Sequence, residues 1–317
     1  MAKKTTGQAP FVFSLCEDLY TLPHKAQEHE VDLHGGFATD TRAGQGEVYY
    51  GMPGCGLMRI AADLGRQDIL ELPPELKPLN FHSTKIGEFD GNLRLFMPAN
   101  NDEKVAILTL DGDVDFVLSR PEFDEYADAE APYKPTDTVL HGEKLYVADG
   151  YGSNYISSVD MHTHGWSDIF GGKSDDPNAV GRFGTAHGIN NHPDGQHLTI
   201  ADRPHARLVR TTTSGEQTAS YGLPAGSFPC GINYADWRGK TYAVVGSLRD
   251  PVPDRPAPIY ILDGDSHELL STLRPKEELG VELATHIHNT VFHIHNDQLY
   301  LIVQAWNPGH YFVLALE

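Results

Sequence analysis

A phrase that occurs twice in the middle of the chain constrains the fold most. The first copy is PTDTVLHGEKLYVADGYGSNYISSVD (residues 135–160), and the second is AHGINNHPDGQHLTIADRPHARLVRTTTSG (residues 186–215). Each copy opens with a short apolar strand, turns at HGE or PDG, continues into a second strand that ends in Ala-Asp, and then reaches a third strand. Three antiparallel strands repeated about every 50 residues are typical of one blade of a β-propeller.

Weaker copies of this phrase extend the repeat over most of the chain, again at intervals of about 50 residues. The residues that open the first strand of each copy are His34, His82, Thr136, His187, Cys230 and His288. This spacing predicts an all-β fold, a six-bladed β-propeller that occupies residues 30–317. Residues 1–29 are then an N-terminal extension, available to add an outer strand.

Composition excludes several classes of partner. The chain has 44 acidic and 24 basic residues, for a net charge of −20, whereas phosphate binding needs clustered Lys and Arg. We therefore expect neither nucleic acid nor a membrane surface as a partner. The apolar run Phe11–Leu15 is too short for a secretory signal, which favours the cytoplasm, although a chain trimmed of its signal would look the same. Cys16, Cys55 and Cys230 contain no CxxC pair, so neither a disulfide nor a thiolate zinc site is indicated.

The predicted geometry gathers particular side chains at one mouth of the channel. In a propeller the first strand of each blade lines the central channel and the second strand returns antiparallel to it. The residue that opens the first strand and the residue just after the second strand therefore meet. Tyr151 and Arg203 follow second strands in this way. The histidines at opening positions are His34, His82, His187 and His288.

A ring of imidazoles indicates a transition metal, because neutral histidine is the commonest ligand of zinc, copper and iron. Three histidines and an open fourth position form a catalytic zinc site. Four histidines suit an iron or copper oxidoreductase better, because His34 would close a tetrahedral zinc site. A binding propeller with a structural metal, or none, is the third interpretation, and it has no need of Tyr151. His286 alternates with His288 on one strand, which makes it a further candidate ligand.

The PTD…DGY and HG…ADR phrases, together with FHSTKI (residues 81–86), resemble the catalytic core of peptidyl-α-hydroxyglycine α-amidating lyase. The resemblance covers roughly residues 80–316 and implies a six-bladed propeller of the NHL type. It implies a lyase that splits a small or peptide-like α-hydroxyamide into an amide and an aldehyde such as glyoxylate. The same resemblance implies a structural calcium in the channel, held largely by backbone carbonyls. The implied zinc ligands are His82, His187 and His288, with Tyr151 as general base and Arg203 as the carboxylate-binding arginine.

Several positions differ from the family's pattern. The second arginine of the family is missing from YYGMPGCG (residues 49–56), and Arg249 is the candidate to replace it. Asn289 stands where the family has Asp, and His286 stands where it has Met. His34 adds an imidazole, and Thr136 takes the corresponding opening position in the third blade. The resemblance thus implies an inherited scaffold and metal site with a rebuilt substrate pocket, open to another hydroxylated or carbonyl substrate.

Overall fold

The computed structural model describes residues 3–128 and 130–317. Its strands form six antiparallel sheets, five of four strands and one of five, and sequence neighbours are also neighbours within each sheet. The all-β, six-bladed propeller is confirmed. In chain order the strands are β1 (Thr6–Gln8), β2 (Phe11–Leu15), β3 (Ala38–Thr39), β4 (Val48–Met52), β5 (Gly56–Ile60), β6 (Gln67–Leu70), β7 (Lys85–Phe89), β8 (Asn92–Ala99), β9 (Lys104–Leu108), β10 (Val114–Leu118), β11 (Asp137–His141), β12 (Lys144–Ala148), β13 (Tyr155–Asp160), β14 (Trp166–Gly171), β15 (Ala186–Asn191), β16 (His197–Asp202), β17 (Arg207–Thr212), β18 (Gln217–Gly222), β19 (Asn233–Trp237), β20 (Lys240–Gly246), β21 (Ile259–Asp263), β22 (Leu269–Leu273), β23 (Ile287–His295), β24 (Gln298–Ala305) and β25 (His310–Leu316).

Helical structure in the described part of the chain is confined to single turns. One α-helical turn, α1, spans His24–Gln27, and a π-helical turn spans Pro275–Leu279. The 3₁₀ turns are Glu17–Leu19, Glu30–Asp32 and Asp124–Tyr126. Over residues 3–128 and 130–317, no helix is long and apolar enough to cross a membrane.

The N-terminal strands complete the last blade. Strand β2 pairs antiparallel with β25, with Phe13 opposite Leu316 and Leu15 opposite Leu314, and β1 lies outside β2. The sheet order is β1-β2-β25-β24-β23, so the two ends of the chain share one sheet. Main-chain hydrogen bonds between these ends close the ring, which removes the exposed edge that an open array of blades would leave.

Five of the six blades have one more strand than the repeated phrase suggested, and the last blade has two more. The prediction of three strands per copy omitted the outermost strand, for example β18 (Gln217–Gly222), which pairs with β17. Residues of β18 alternate between half-buried and exposed, and its sequence QTASYG carries little apolar signal. An edge strand that packs on one face only gives a weak periodic pattern, so sequence alone missed it.

The hydrophobic core is divided among the six blade interfaces. Each of six buried apolar clusters joins two neighbouring blades, as where Val139 and Ile156 of the third blade pack against Ile189 and Leu198 of the fourth. Burying one such side chain stabilises the fold by about 1.5–3 kcal/mol. Because this packing lies between blades, the central channel is left free to carry polar side chains.

Candidate metal centre

The structure brings the four opening histidines together at one mouth of the channel. Ring centroids lie 4.5 Å apart for His34 and His82, 4.7 Å for His82 and His187, 5.0 Å for His187 and His288, and 4.5 Å for His288 and His34. All four side chains are buried, with 2–5% of their surface exposed. These separations are short enough for several imidazole nitrogens to reach one ion.

Irregularities in the first strands aim two of these histidines inward. The register of β15 against β16 shifts between Ala186 and Gly188, and that of β23 against β24 shifts between Ile287 and Asn289. The residues at the two bulges are His187 and His288. A β-bulge leaves one residue unpaired and redirects its side chain, which explains how strand residues can point along the channel mouth.

Main-chain carbonyls fix the tautomer of two rings. The Nδ1 of His82 is 2.7 Å from the carbonyl oxygen of Thr136, and the Nδ1 of His187 bonds to the carbonyl oxygen of Cys230. A carbonyl only accepts, so each Nδ1 carries the proton and each Nε2 offers a lone pair. Thr136 therefore supports His82 through its backbone. Gly188 permits the second contact, since a Cβ there would lie 2.5 Å from the Cα of Gly231.

Several ring nitrogens have no partner among the described residues. They are the Nε2 atoms of His34 and His82 and both ring nitrogens of His288. Leaving a buried polar atom unsatisfied costs about 1–3 kcal/mol. Donor atoms of His34, His82 and His288 lie within 4.8 Å of one another, so a metal ion fits this set and would satisfy three of these four nitrogens. The Asn80 amide nitrogen lies 3.0 Å from the Nδ1 of His34 and donates to the Oδ1 of Asn100 at 3.2 Å. In this arrangement the Nδ1 of His34 accepts and its Nε2 carries the proton, so an ion at that Nε2 requires the proton to move to Nδ1 and the Asn80 amide to turn.

The rings are held neutral, the form that binds metals. Burial lowers the pKa of His34 to about 3, and the nearby Arg203 charge acts in the same direction. Burial likewise holds the pKa values of His82, His187 and His288 well below the ordinary value of histidine.

His187 has different partners from the other three histidines. Its Nε2 lies 3.0 Å from the Tyr151 hydroxyl and 2.6 Å from Nη2 of Arg203. The structure groups His187 with Cys230 and His288, while His34 joins His82 and His288. The resemblance implied His187 as the third zinc ligand; in the structure its Nε2 contacts Tyr151 and Arg203, whereas His34, His82 and His288 bring unpartnered nitrogens together.

Cys230 belongs to this site, and the sequence analysis missed it. Its buried Sγ lies 3.1 Å from Nη2 of Arg203. All three cysteines are free. The cysteine spacing indicated no thiolate zinc site, and Cys230 was not considered as a donor, although its Sγ lies within 4.8 Å of donor atoms of His187 and His288. The signal was present in the register, because Cys230 opens the fifth blade as the histidines open four others.

A buried carboxylate anchors the turn that carries Tyr151. Asp149 accepts hydrogen bonds from the Ser153 amide and, at 2.8 Å, from the Tyr126 hydroxyl. Burial raises the pKa of Asp149 to about 6, and these hydrogen bonds oppose the rise. Gly150 allows the turn to press on the fourth blade, because a Cβ there would lie 2.5 Å from the carbonyl oxygen of Ala186. The turn thereby delivers the Tyr151 ring to within 4.9 Å of His82.

A matching carboxylate anchors the turn that carries Arg203. Asp202 accepts hydrogen bonds from the Gly184 amide at 2.9 Å and from Nε of Arg207 at 2.8 Å. The Arg203 side chain is buried and bonds to Tyr151, His187 and Cys230, while its Nε has no partner among the described residues. Within residues 3–128 and 130–317 it forms no ion pair with a carboxylate. A buried cation of this kind favours an anionic ligand, because an uncompensated charge is costly.

Three further candidates lie outside the ring. The Nδ1 of His286 is 2.9 Å from the carbonyl oxygen of Leu248, so the bulge at His288 separates two side chains expected on one face. The side-chain oxygen of Asn289 faces the Phe37 amide at 3.4 Å. Arg249 is exposed, with its guanidinium 4.3 Å from the centre of the Phe228 ring.

The calcium that the resemblance implied, held largely by backbone carbonyls, stays a prediction, and one buried carboxylate of the channel interior bears on it. Asp137 is the one carboxylate in the lining of this stretch, and its oxygens already accept from the Ser83 hydroxyl and the Thr138 and Ile189 amides. The ammonium of Lys85 lies 3.3 Å from the same carboxylate. Calcium takes 6–8 oxygen ligands, whereas here a lysine supplies the positive charge.

Comparisons with known proteins show the fold. No family model matches the chain, and no curated protein matches it. A gluconolactonase from Xanthomonas campestris is similar in structure, with a TM-score of 0.59, 13% identity and 94% of each chain covered. A streptogramin B lyase has a TM-score of 0.56 and 15% identity, covering 96% of this chain and 98% of that one. The hydrazine synthase of Kuenenia stuttgartiensis is matched at a TM-score of 0.48 and 16% identity, over 69% of this chain and 55% of its own length.

Proposed function

We propose that this protein is a metal-dependent lyase whose ion is held at the mouth of the propeller channel by His34, His82 and His288. The observation that carries the proposal is the set of buried, unpartnered ring nitrogens on these three residues, with donor atoms within 4.8 Å of one another. When bound, a zinc ion acidifies a hydroxyl and polarises an oxygen. Two similar propellers are named a gluconolactonase and a lyase; at their low identity, they support the fold alone.

The side chains beside this set supply acid–base chemistry. The Tyr151 hydroxyl donates to the Nε2 of His187 at 3.0 Å and lies 3.0 Å from Nη1 of Arg203, whose charge favours the phenolate. Burial raises the pKa of Tyr151, and Arg203 opposes that rise. Tyr151, as the phenolate, is thus the general base, and His187 positions its hydroxyl.

The proposed substrate is an α-hydroxyamide that carries a carboxylate, in agreement with the resemblance. Tyr151, as the phenolate that Arg203 favours, takes the hydroxyl proton of the substrate. The carbon–nitrogen bond then breaks with its electron pair on nitrogen, a carbonyl forms, and the departing amide nitrogen takes the proton that Tyr151 holds. Among the described residues Arg203 has no carboxylate partner, and it binds the carboxylate of the substrate.

Iron or copper redox chemistry is the second candidate function, and one observation favours it. His34 lies within the donor set, so imidazoles surround the site on four sides. A ligand set rich in imidazole suits copper and iron as well as zinc.

The two functions are separated by reconstitution. Metal-free protein is loaded in parallel with zinc, iron(II) or copper, and glyoxylate release from an N-acyl-α-hydroxyglycine is measured beside oxygen uptake. Glyoxylate release that requires zinc supports the lyase, and metal-dependent oxygen uptake supports the redox enzyme. A metal that binds without either activity indicates a binding propeller and contradicts both. His197→Ala, a variant of a partly exposed histidine on a distant hairpin, is the matched control.

A further inference from the structure

We propose that the channel mouth contains a second cation position, formed by His187, Cys230 and His288, which takes a soft or borderline ion such as copper or zinc. The donor atoms of these three buried residues lie within 4.8 Å of one another. This donor set differs from that of His34, His82 and His288, and the two sets share only His288.

The two unpartnered ring nitrogens of His288 are the observation that calls for two cation positions. Only 3% of its surface is exposed, and neither Nδ1 nor Nε2 has a partner among the described residues. An ion bound with His34 and His82 would use one of these nitrogens and leave the other buried and unsatisfied. A second ion satisfies both, with loss of the ring N–H proton.

The donor types define the class of ion. Two imidazoles and one thiolate form a softer set than the three imidazoles next to them, and thiolate ligands select copper, zinc and similar ions over calcium or magnesium. Binding converts the Cys230 thiol to thiolate and releases its proton to solvent.

Arg203 competes for this second position. Its Nη2 lies 2.6 Å from the Nε2 of His187 and 3.1 Å from the Sγ of Cys230, so the guanidinium contacts two of the three donors. Within the described residues no carboxylate ties Arg203 in place, and its remaining hydrogen bond goes to Tyr151. An incoming ion therefore displaces Arg203, and removing the guanidinium strengthens binding of that ion.

One functional consequence rests on the proposed function. The Nε2 of His187 accepts the hydrogen bond of the Tyr151 hydroxyl at 3.0 Å, and an ion bound at that nitrogen breaks this bond and releases the general base from its position. The first ion supports activity, whereas the second inhibits it. A thiolate-to-cobalt absorption band reports binding at the second position without depending on activity. Failure of the second position and failure of the lyase proposal are therefore distinguishable.

The test is a titration of metal-free protein with cobalt(II), followed by absorption and by metal content after gel filtration. We expect two equivalents per chain, the first without sulfur ligation and the second with a thiolate-to-cobalt charge-transfer band in the near ultraviolet. Cys230→Ser should lose the band and the second equivalent while keeping the first. Cys55→Ser, which changes a buried cysteine of the first blade, should keep both.

Arg203→Met provides a second readout. It should bind the second equivalent roughly tenfold more tightly, because charge-assisted hydrogen bonds to two donors are gone. Absence of a thiolate band in wild type and in Arg203→Met would overturn the second position. A single equivalent that already carries the band would overturn it too, because the two sets would then not be separate.

Discussion

The Tyr151 hydroxyl lies 3.0 Å from the Nε2 of His187, and the guanidinium of Arg203 bonds to both groups. This contact joins the turn after β12 to the bulge in β15, so the third and fourth blades build the acid–base pair together. If Tyr151 is the general base, Tyr151→Phe should lower kcat by about 10²–10⁴-fold. Metal content should be unchanged, because the phenol is not among the proposed donors. Glyoxylate release measures kcat, and elemental analysis measures the metal content. Undiminished turnover would reject Tyr151 as the general base.

His187→Ala tests whether His187 positions the Tyr151 hydroxyl or binds the metal. Because its Nε2 is already bonded to Tyr151 and Arg203, we expect this variant to keep the first metal equivalent and to lose activity. Loss of the metal together with activity would show that His187 is a ligand, as the resemblance implies. His293→Ala removes a buried histidine whose Nε2 bonds to the Ala62 carbonyl. It controls for the stability that is lost when a buried histidine is replaced by alanine.

Much of this site could be predicted from spacing alone. The repeat gave the number of blades, and the antiparallel path of two strands placed His34, His82, His187 and His288 at one mouth with Tyr151 and Arg203. That inference needed only strand direction and the start of each strand, both of which the repeat encodes.

The finer ligand sets depended on details that spacing does not carry. The bulge at His288 sends His286 to the Leu248 carbonyl, and an alternating strand pattern cannot reveal a bulge. The presence of Cys230 among the donors was missed because a single cysteine has no CxxC partner in the sequence. Its position at the start of the fifth blade was the available signal. Whether His187 or His34 joins His82 and His288 in a donor set depends on the direction of the Arg203 side chain. Side-chain packing sets that direction.

Lys85 should make the channel independent of calcium. Its ammonium lies 3.3 Å from the buried carboxylate of Asp137, so we expect excess EGTA, a calcium-selective chelator, to leave the Tm unchanged. Lys85→Met should lower the free energy of unfolding by about 1–3 kcal/mol, since it leaves that carboxylate without its cation. Lys144→Met, which breaks an exposed pair with Asp168, should cost no more than about 1 kcal/mol. A marked fall in Tm with EGTA would contradict this account.

A histidine at the interface between the fourth and fifth blades should make stability depend on pH. His267 packs against Tyr221, Tyr234 and His192, and burial lowers its pKa from 6.5 to about 4. Between these two values the unfolded chain binds a proton that the folded chain does not, so stability rises with pH across this window and falls as pH is lowered from 6.5 to 4.

His267→Asn should reduce the slope of the free energy of unfolding against pH by up to about 1.4 kcal/mol per pH unit. Urea unfolding of metal-free protein at several pH values between 4 and 7 measures the slope. Equal slopes for the variant and wild type would show that His267 titrates normally in the folded state.

Elemental analysis of protein purified without added metal tests the central claim most directly, with wild type compared against a variant that carries His34→Ala, His82→Ala and His288→Ala together. We predict close to one equivalent of zinc, iron or copper per wild-type chain and almost none in the variant, with both proteins showing the same β-rich circular dichroism. Wild-type protein that is free of metal and takes up none when it is supplied, or a variant that retains the ion, would contradict a metal centre on these three histidines.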